Sequence, residues 1–315
     1  MTDNPVDRLI NYPGAFIIDK KADSLFLEAM QSSVKHHYNN NNKFRNYFIV
    51  NNFTPEKLKT FSDLEKMPFI SVNVFKREKL ISVNEKNIKL TLTSSGTTGL
   101  KSAIYLDKLS LERIEKIVFN VFSSFGMTDR KNPCNYLMFT YDTKYASDVG
   151  TAWSDELLSG LTAIKSMEFV LKFDSEKKDF YPDFEGSFNY LLNISKENLP
   201  LRILGFPAYL YEFYIKFKNK KKFSFPKNSF VITGGGWKTL KDREIPKNEF
   251  RKEISRWLGI PSENIRDLLG MVEHGVPYVE CENGNFHIPA YSRVFARDPI
   301  SLRYCLKEIP DYSSS

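Results

Sequence analysis

Cysteine is scarce. The 315 residues hold three, Cys134, Cys281 and Cys305, far apart in the chain and without a C-x-x-C pair. That excludes a disulfide framework and a cysteine zinc knuckle, and it fits a protein of the reducing cytoplasm. Long apolar runs are missing too: none approaches the ~18 residues that a membrane-spanning helix needs. The opening stretch, Met1 to Asn11, is polar and lacks the apolar segment and cleavage site of a secretory signal. No internal repeat stands out, and low complexity is limited to patches such as Asn39–Asn42 and Ser313–Ser315. Charge of one sign is in mild excess only, with 45 Lys+Arg against 38 Asp+Glu for a net +7, and the cations are mostly lysine. The densest basic run, Lys216 to Lys222, is interleaved with Phe217 and Asn219. A nucleic-acid surface calls for Arg-rich, aromatic-flanked patches. This run reads instead as the solvated end of a helix, where cations meet the negative end of the backbone dipole. No nucleic-acid partner is expected.

What is present describes a globular chain: 42% hydrophobic, 26% charged, with 26 Phe and 16 Tyr to fill a core. At ~100–200 residues per domain, the length allows one large domain or two modest ones. Residues 1–87 read as a helical N-terminal segment packed on a core formed by 88–315. Ala22 to Lys35 places Leu25, Phe26, Ala29 and Met30 at helical spacing, and Pro55 to Leu64 reads as a second, short helix. After Pro68 the texture changes. Lys89–Thr93 alternates as a strand, and Ala103–Leu106 reads as another. Ser110 is the expected cap of a helix with Leu111, Ile114, Ile117, Val121, Phe122 and Phe125 on one face. Tyr136–Tyr141 and Phe169–Phe173 resemble buried strands, and Ala208–Phe217 an aromatic-rich helix. Phe230–Thr233 is a strand running into Gly234-Gly235-Gly236, and Glu249–Leu258 a helix closed by Gly259. Strands alternating with helices and ending in glycine-rich loops predict an α/β fold that binds ligands at the loop edge of its sheet.

The segment Thr93-Ser94-Ser95-Gly96-Thr97-Thr98-Gly99-Leu100-Lys101-Ser102 carries the chemistry. Its glycines let backbone N–H groups converge on one concavity, its hydroxyls add donors, and Lys101 brings a point charge. Together these suit a polyphosphate. The spacing is not that of a Walker A loop, G-x-x-x-x-G-K, because Thr97 and Thr98 alone separate the glycines and Leu100 stands between Gly99 and Lys101. A Walker A loop also opens a helix, whereas Ala103–Leu106 reads as a strand.

With these residues in place, the segment resembles the phosphate loop of the adenylate-forming enzymes, which include acyl-CoA ligases, peptide-synthetase adenylation domains and luciferases. The lead-in Met67-Pro68-Phe69-Ile70-Ser71-Val72, with Phe75-Lys76, is similar to the acyl-protein synthetase (LuxE-type) branch. So are Gly234-Gly235-Gly236-Trp237-Lys238 and Leu269-Gly270-Met271-Val272-Glu273-His274-Gly275. The resemblance runs from about Pro68 to Arg297. It implies the large N-terminal-type domain of that superfamily, with mixed sheets flanked by helices. It also implies ATP-dependent activation of a fatty acid or other carboxylate, transfer of the acyl group to a cysteine, and an acyl reductase as partner. ATP and Mg²⁺ would be held by Ser94, Ser95, Gly96, Thr97, Thr98, Gly99, Gly234, Gly235, Gly236 and Gly270. Lys101 and Glu273 would be catalytic, Glu273 holding Mg²⁺ with Thr98, and either Thr97 or Thr98 would stand on the phosphate side. His274 would orient the carboxylate, and Trp237 is expected in the core. Acyl-chain selectivity would come from residues over Tyr136–Phe217 and around Trp237.

Two departures modify this expectation. Leu269 and Val272 stand where the family carries an adenine-stacking aromatic and a threonine. Beyond Arg297 there is no ribose-binding Thr-Gly-Asp segment, hinge or lid with a catalytic lysine, and the flanks of Cys305 differ from the family's acyl-acceptor site. The reading is therefore of a core with its C-terminal lid domain absent or truncated. A phenylacetate-type CoA ligase and a non-catalytic nucleotide-binding relative are the alternatives.

Overall fold

The computed structural model describes residues 4–94, 101–142, 144–145, 153, 157–237, 242–302 and 304. The chain divides into two compact units, one made of Met1–Pro13, Ile17–Ile70 and Ile288–Ser315, the other of Gly14–Phe16 and Ser71–His287. The change of texture at Pro68 lies beside this boundary. Residue 87, where the sequence reading drew its line, lies inside the second unit.

The first unit begins with three capped helices, α1 (Pro5–Ile10), α2 (Lys20–Asn40) and α3 (Asn42–Val50). Asn4 Oδ1 accepts from Val6 N at 2.9 Å and Asp19 Oδ1 from Ala22 N at 2.7 Å, so each helix start is fixed by a short polar side chain. Asn41 ends α2 and caps α3, accepting from Phe44 N at 3.0 Å. The single helix expected over Pro55–Leu64 is instead two 3₁₀ turns, Pro55–Lys57 and Phe61–Lys66. Thr60 interrupts it: its backbone is extended, and with Asp63 it forms a capping box that starts the second turn afresh. Residues 288–302 return to these helices. The Arg293 guanidinium lies over the rings of Phe26 and Phe61, at 4.5 and 5.5 Å, and bonds Asp23 at 2.5 Å. Arg297 donates to the Glu65 carbonyl at 2.6 Å.

The second unit opens with α4 (Val72–Phe75), then β1 (Ile88–Thr93) paired antiparallel with β2 (Ala103–Asp107). α5 (Lys108–Ser124) follows, and its cap is Asp107 rather than Ser110. Asp107, the last residue of β2, is extended and accepts from Ser110 N at 2.8 Å, which makes Ser110 a donor inside the first turn. Replacing Asp107 by Ala should cost about 1 kcal/mol, and Asp107→Asn much less. Urea denaturation checks this; equal midpoints for Ala and wild type would assign the cap elsewhere.

A seven-stranded sheet forms the body, built from β3 (Asp129–Tyr141), β4 (Thr162–Asp174), β5 (Asp179–Pro182), β6 (Leu201–Gly205), β7 (Phe230–Gly234), β8 (Ile265–Met271) and β9 (His274–Val279). The order is β5-β4-β3-β6-β7-β8-β9, parallel through the middle and antiparallel at both edges. The mixed α/β architecture expected from the sequence is thus present. Every residue of β6 is buried, as a central parallel strand requires. α6 (Phe184–Ile194), α7 (Pro207–Phe217) and α8 (Lys247–Leu258) supply the core that packs with these strands: Phe188, Leu191, Phe213, Phe217, Ile254 and Trp257 join Leu137, Ile203 and Val231. Phe188 and Phe217 stack at 4.1 Å. Gly259 closes α8 in the left-handed region (φ 70°), where a Cβ would also strike the Phe223 carbonyl at 2.8 Å. The lysine run lies at the end of α7, with Lys216 Nζ 3.0 Å from Glu185, as its charge pattern predicts.

Candidate active site

The site is built where β7 ends, where β8 turns into β9, and beside the β1–β2 hairpin. Ser95, Gly96, Thr97, Thr98 and Gly99 lie outside the described residues, but both ends of their loop are described. Thr93 pairs with Ala103, Ser94 N donates to the Ser102 carbonyl at 3.0 Å, and Ser102 N donates back to Ser94 Oγ at 3.0 Å. The loop therefore starts and ends on one closed rung. Lys101 is exposed at this neck, and the segment after it is a strand, as the contrast with a Walker A loop requires.

Gly234 is the last residue of β7, and Gly235 and Gly236 take positive φ, 77° and 66°, so the chain turns where a side chain would be strained. Met271 pairs with His274 across a tight turn formed by Val272 and Glu273. The glutamate is thus carried at the tip of the β8–β9 hairpin and is half-buried. His274 Nε2 lies 2.9 Å from Tyr278 Oη with the two rings stacked, and burial lowers the imidazole's pKa, which keeps it neutral at neutral pH.

These elements surround a cavity of about 290 Å³. Gly234, Gly235, Gly270, Glu273 and His274 line it, together with the apolar side chains of Leu92, Ile104, Leu106, Ile114, Val118, Leu158, Phe206 and Ile232. Five of the residues singled out in the sequence therefore meet around one space. Leu92 and Ile104 are directly paired on β1 and β2, so the cavity lining reaches the neck of the 95–100 loop. Much of the lining comes from Leu92–Val118 and Leu268–Pro277, outside the stretches the sequence reading had assigned to acyl selectivity; Leu157, Leu158 and Phe206 lie within them.

Gly236 and Trp237 line a second, charged cavity of about 140 Å³. Glu280, fully buried, accepts from Lys247 Nζ at 2.6 Å, from the Arg251 guanidinium and from Asp267 N at 2.7 Å. Asp267 lies 3.4 Å from Lys247; burial raises its pKa, with Lys247 opposing and Glu280 reinforcing the shift. Trp237 is half-buried, edge-on to Tyr211 at 5.7 Å and to Phe250 at 6.3 Å, so it borders this cavity as well as the core. The sequence reading missed Glu280, Lys247, Arg251 and Asp267. The one available signal was an acid, Glu280, directly after the uncharged run Gly275–Val279. Of the cysteines, Cys134 and Cys281 are buried, and Cys305 lies outside the described residues.

The model of the acyl-protein synthetase family, LuxE, matches residues 6–312 of this chain. The chain belongs to the LuxE family. Its relatives include the long-chain-fatty-acid–luciferin-component ligase of Aliivibrio fischeri, 29% identical over 271 residues that make up 85% of this chain and 68% of the relative. The ligase of the same name from Vibrio harveyi is 23% identical over 287 residues, 87% of this chain and 69% of the relative. Among solved structures, an open conformation of 2-hydroxyisobutyryl-CoA ligase bound to 2-HIB-AMP and CoA superposes with a TM-score of 0.65 at 14% identity. That alignment covers 89% of the LuxE-family chain and spans 58% of the ligase's length. The likeness shows that the two chains share a fold over the aligned part.

Proposed function

We propose that this LuxE-family chain activates a long-chain fatty acid with ATP and passes the acyl group to a cysteine thiol. The observation that carries the reading is the larger cavity, which brings apolar side chains together with Gly234, Gly235, Gly270, Glu273 and His274 and reaches Leu92 and Ile104 near the ends of the 95–100 loop. A fatty acid needs both environments, apolar surface for its tail and polar groups for its carboxylate. In the first step a carboxylate oxygen attacks the α-phosphorus of ATP, and pyrophosphate leaves with the P–O bonding pair. In the second, a thiolate attacks the acyl carbonyl carbon and AMP leaves.

The chain's own residues have distinct tasks in this scheme. Lys101 and the phosphate-loop donors stabilise negative charge as pyrophosphate departs. The glycine run Gly234–Gly236 lets the adenine lie against backbone, with Asp267 and the charged cavity beyond it. Neutral His274, held by Tyr278, orients the carboxylate without competing for it as a cation. Mg²⁺ binds through one or two carboxylates, phosphate oxygens and water, and the half-buried Glu273 carboxylate at the hairpin tip lines the cavity where such an ion would sit. Glu273, with the Thr98 hydroxyl, would hold it, and the ion supplies neutralisation of phosphate charge. The thioester would then serve an acyl reductase in the cytoplasm. No helix among the described residues is long and apolar enough to cross a membrane.

Carboxylate-dependent ATP–pyrophosphate exchange tests the first step. Exchange stimulated by long-chain acids is expected, and its absence with every acid tried overturns the reading. Labelled acid with ATP, followed by denaturing electrophoresis, separates acyl transfer to protein from consumption of CoA.

A further inference from the structure

Gly275, the second residue of β9, has a backbone conformation open to any residue, since its φ is not among the positive ones. What it lacks is room. A Cβ there would lie 2.9 Å from Ile114 Cγ1 and 3.2 Å from Ile114 Cδ1, so the isoleucine of α5 would have to move. By contrast, a Cβ at Gly270, on the same hairpin, would meet nothing within 4 Å. Ile114 and Val118 are four residues apart on one face of α5, and both line the aliphatic cavity with Leu106 and Val276. The Ile114 side chain therefore packs on β9 at position 275, and both residues line the cavity. It can sit back only because position 275 carries no side chain.

We propose that Ile114, seated on Gly275, sets the length of acyl chain the cavity accepts. This rests on the fatty-acid reading given above. Bulk added at either position takes space from the cavity, and bulk removed at Ile114 returns it. Each methylene gained or lost in an apolar pocket changes discrimination by roughly 10-fold or more.

The test measures kcat/KM in pyrophosphate exchange for saturated acids from octanoic to hexadecanoic, with wild type, Ile114→Ala, Ile114→Phe, Gly275→Ala and the double variant Gly275→Ala/Ile114→Ala. Calorimetric binding of the same acids without ATP runs in parallel, with thermal unfolding to show that each variant is folded. Ile114→Phe and Gly275→Ala should each lower the long-to-short ratio by about 10-fold or more, and Ile114→Ala should raise it. The double variant should recover the ratio that Gly275→Ala loses, because the truncated side chain no longer meets the added methyl. Ile114→Val keeps the gauge testable should Ile114→Phe fail to fold: its optimum should move toward longer acids. Ratios within about 2-fold of wild type in the folded variants overturn the proposal, since one methylene alone is worth more. So does loss in Gly275→Ala that the double variant does not recover. If wild type shows no exchange, the activation reading fails, and the binding series alone decides the gauge by the same ratios. If no acid binds at all, the gauge fails with it.

Discussion

Lys101→Ala should slow carboxylate-dependent pyrophosphate exchange by about 10²–10³-fold, the usual loss when one preorganised charge-stabilising donor is removed. The argument is positional. Lys101 stands where the chain enters β2, beside the rung formed by Ser94 and Ser102, and the cavity wall begins two residue pairs further along, at Leu92 and Ile104. Its side chain is exposed, so the fold does not depend on it, and the denaturation midpoint should be unchanged. Lys101→Arg should recover only part of the rate, because a planar guanidinium keeps the charge but not the shape of an ammonium. Exchange as fast as wild type in Lys101→Ala removes this residue from the mechanism.

Glu280→Ala should cost about 3–5 kcal/mol of stability, measured as a lower urea midpoint. The carboxylate is fully buried and gathers Lys247, Arg251 and the Asp267 N–H. Truncation leaves Arg251, itself mostly buried, facing a void without its counter-charge. Lys247 contributes less to the loss, because it is half exposed and water can replace its partner. Glu280→Gln preserves the hydrogen-bonding shape without the charge and should fall between the two. The network also matters for the site. Glu280 follows β9 and accepts from the backbone of β8, so it fixes the base of the hairpin whose tip carries Glu273. An Ala variant with a wild-type midpoint would show that packing, not this carboxylate, holds the hairpin.

Much of this architecture was legible in the residues. The phosphate-loop neck, β7 with its glycines and α8 with Gly259 each follow from a local requirement: backbone freedom, a turn, or a left-handed cap. Leu269–Gly275 was marked by its similarity to a family motif, yet its form, a hairpin tip, was not read, because register is a property of two strands together. β6 escaped notice for a related reason. A short buried parallel strand has no alternation to betray it, and periodicity alone cannot separate it from a helix turn. β8 runs from two buried residues to three exposed ones, so it carries no alternation either. The cap at Asp107 was misplaced because Asp and Ser both serve as caps, and only the extended backbone at Asp107 decides between them. Pro55–Leu64 looked like one helix because the Thr60–Asp63 box restarts the chain without changing its hydrophobic pattern. Glu280 could not be paired from sequence, since Lys247 and Arg251 reach it from a distant helix.

The run of three glycines after β7 borders both cavities, the oily one through Gly234 and Gly235 and the ionic one through Gly236. An acyl-adenylate has the build of a detergent, a hydrocarbon tail joined through a hydrolysable anhydride to a water-loving head. Under the proposed function, the same bare backbone would part the surroundings of the oily tail from those of the charged head.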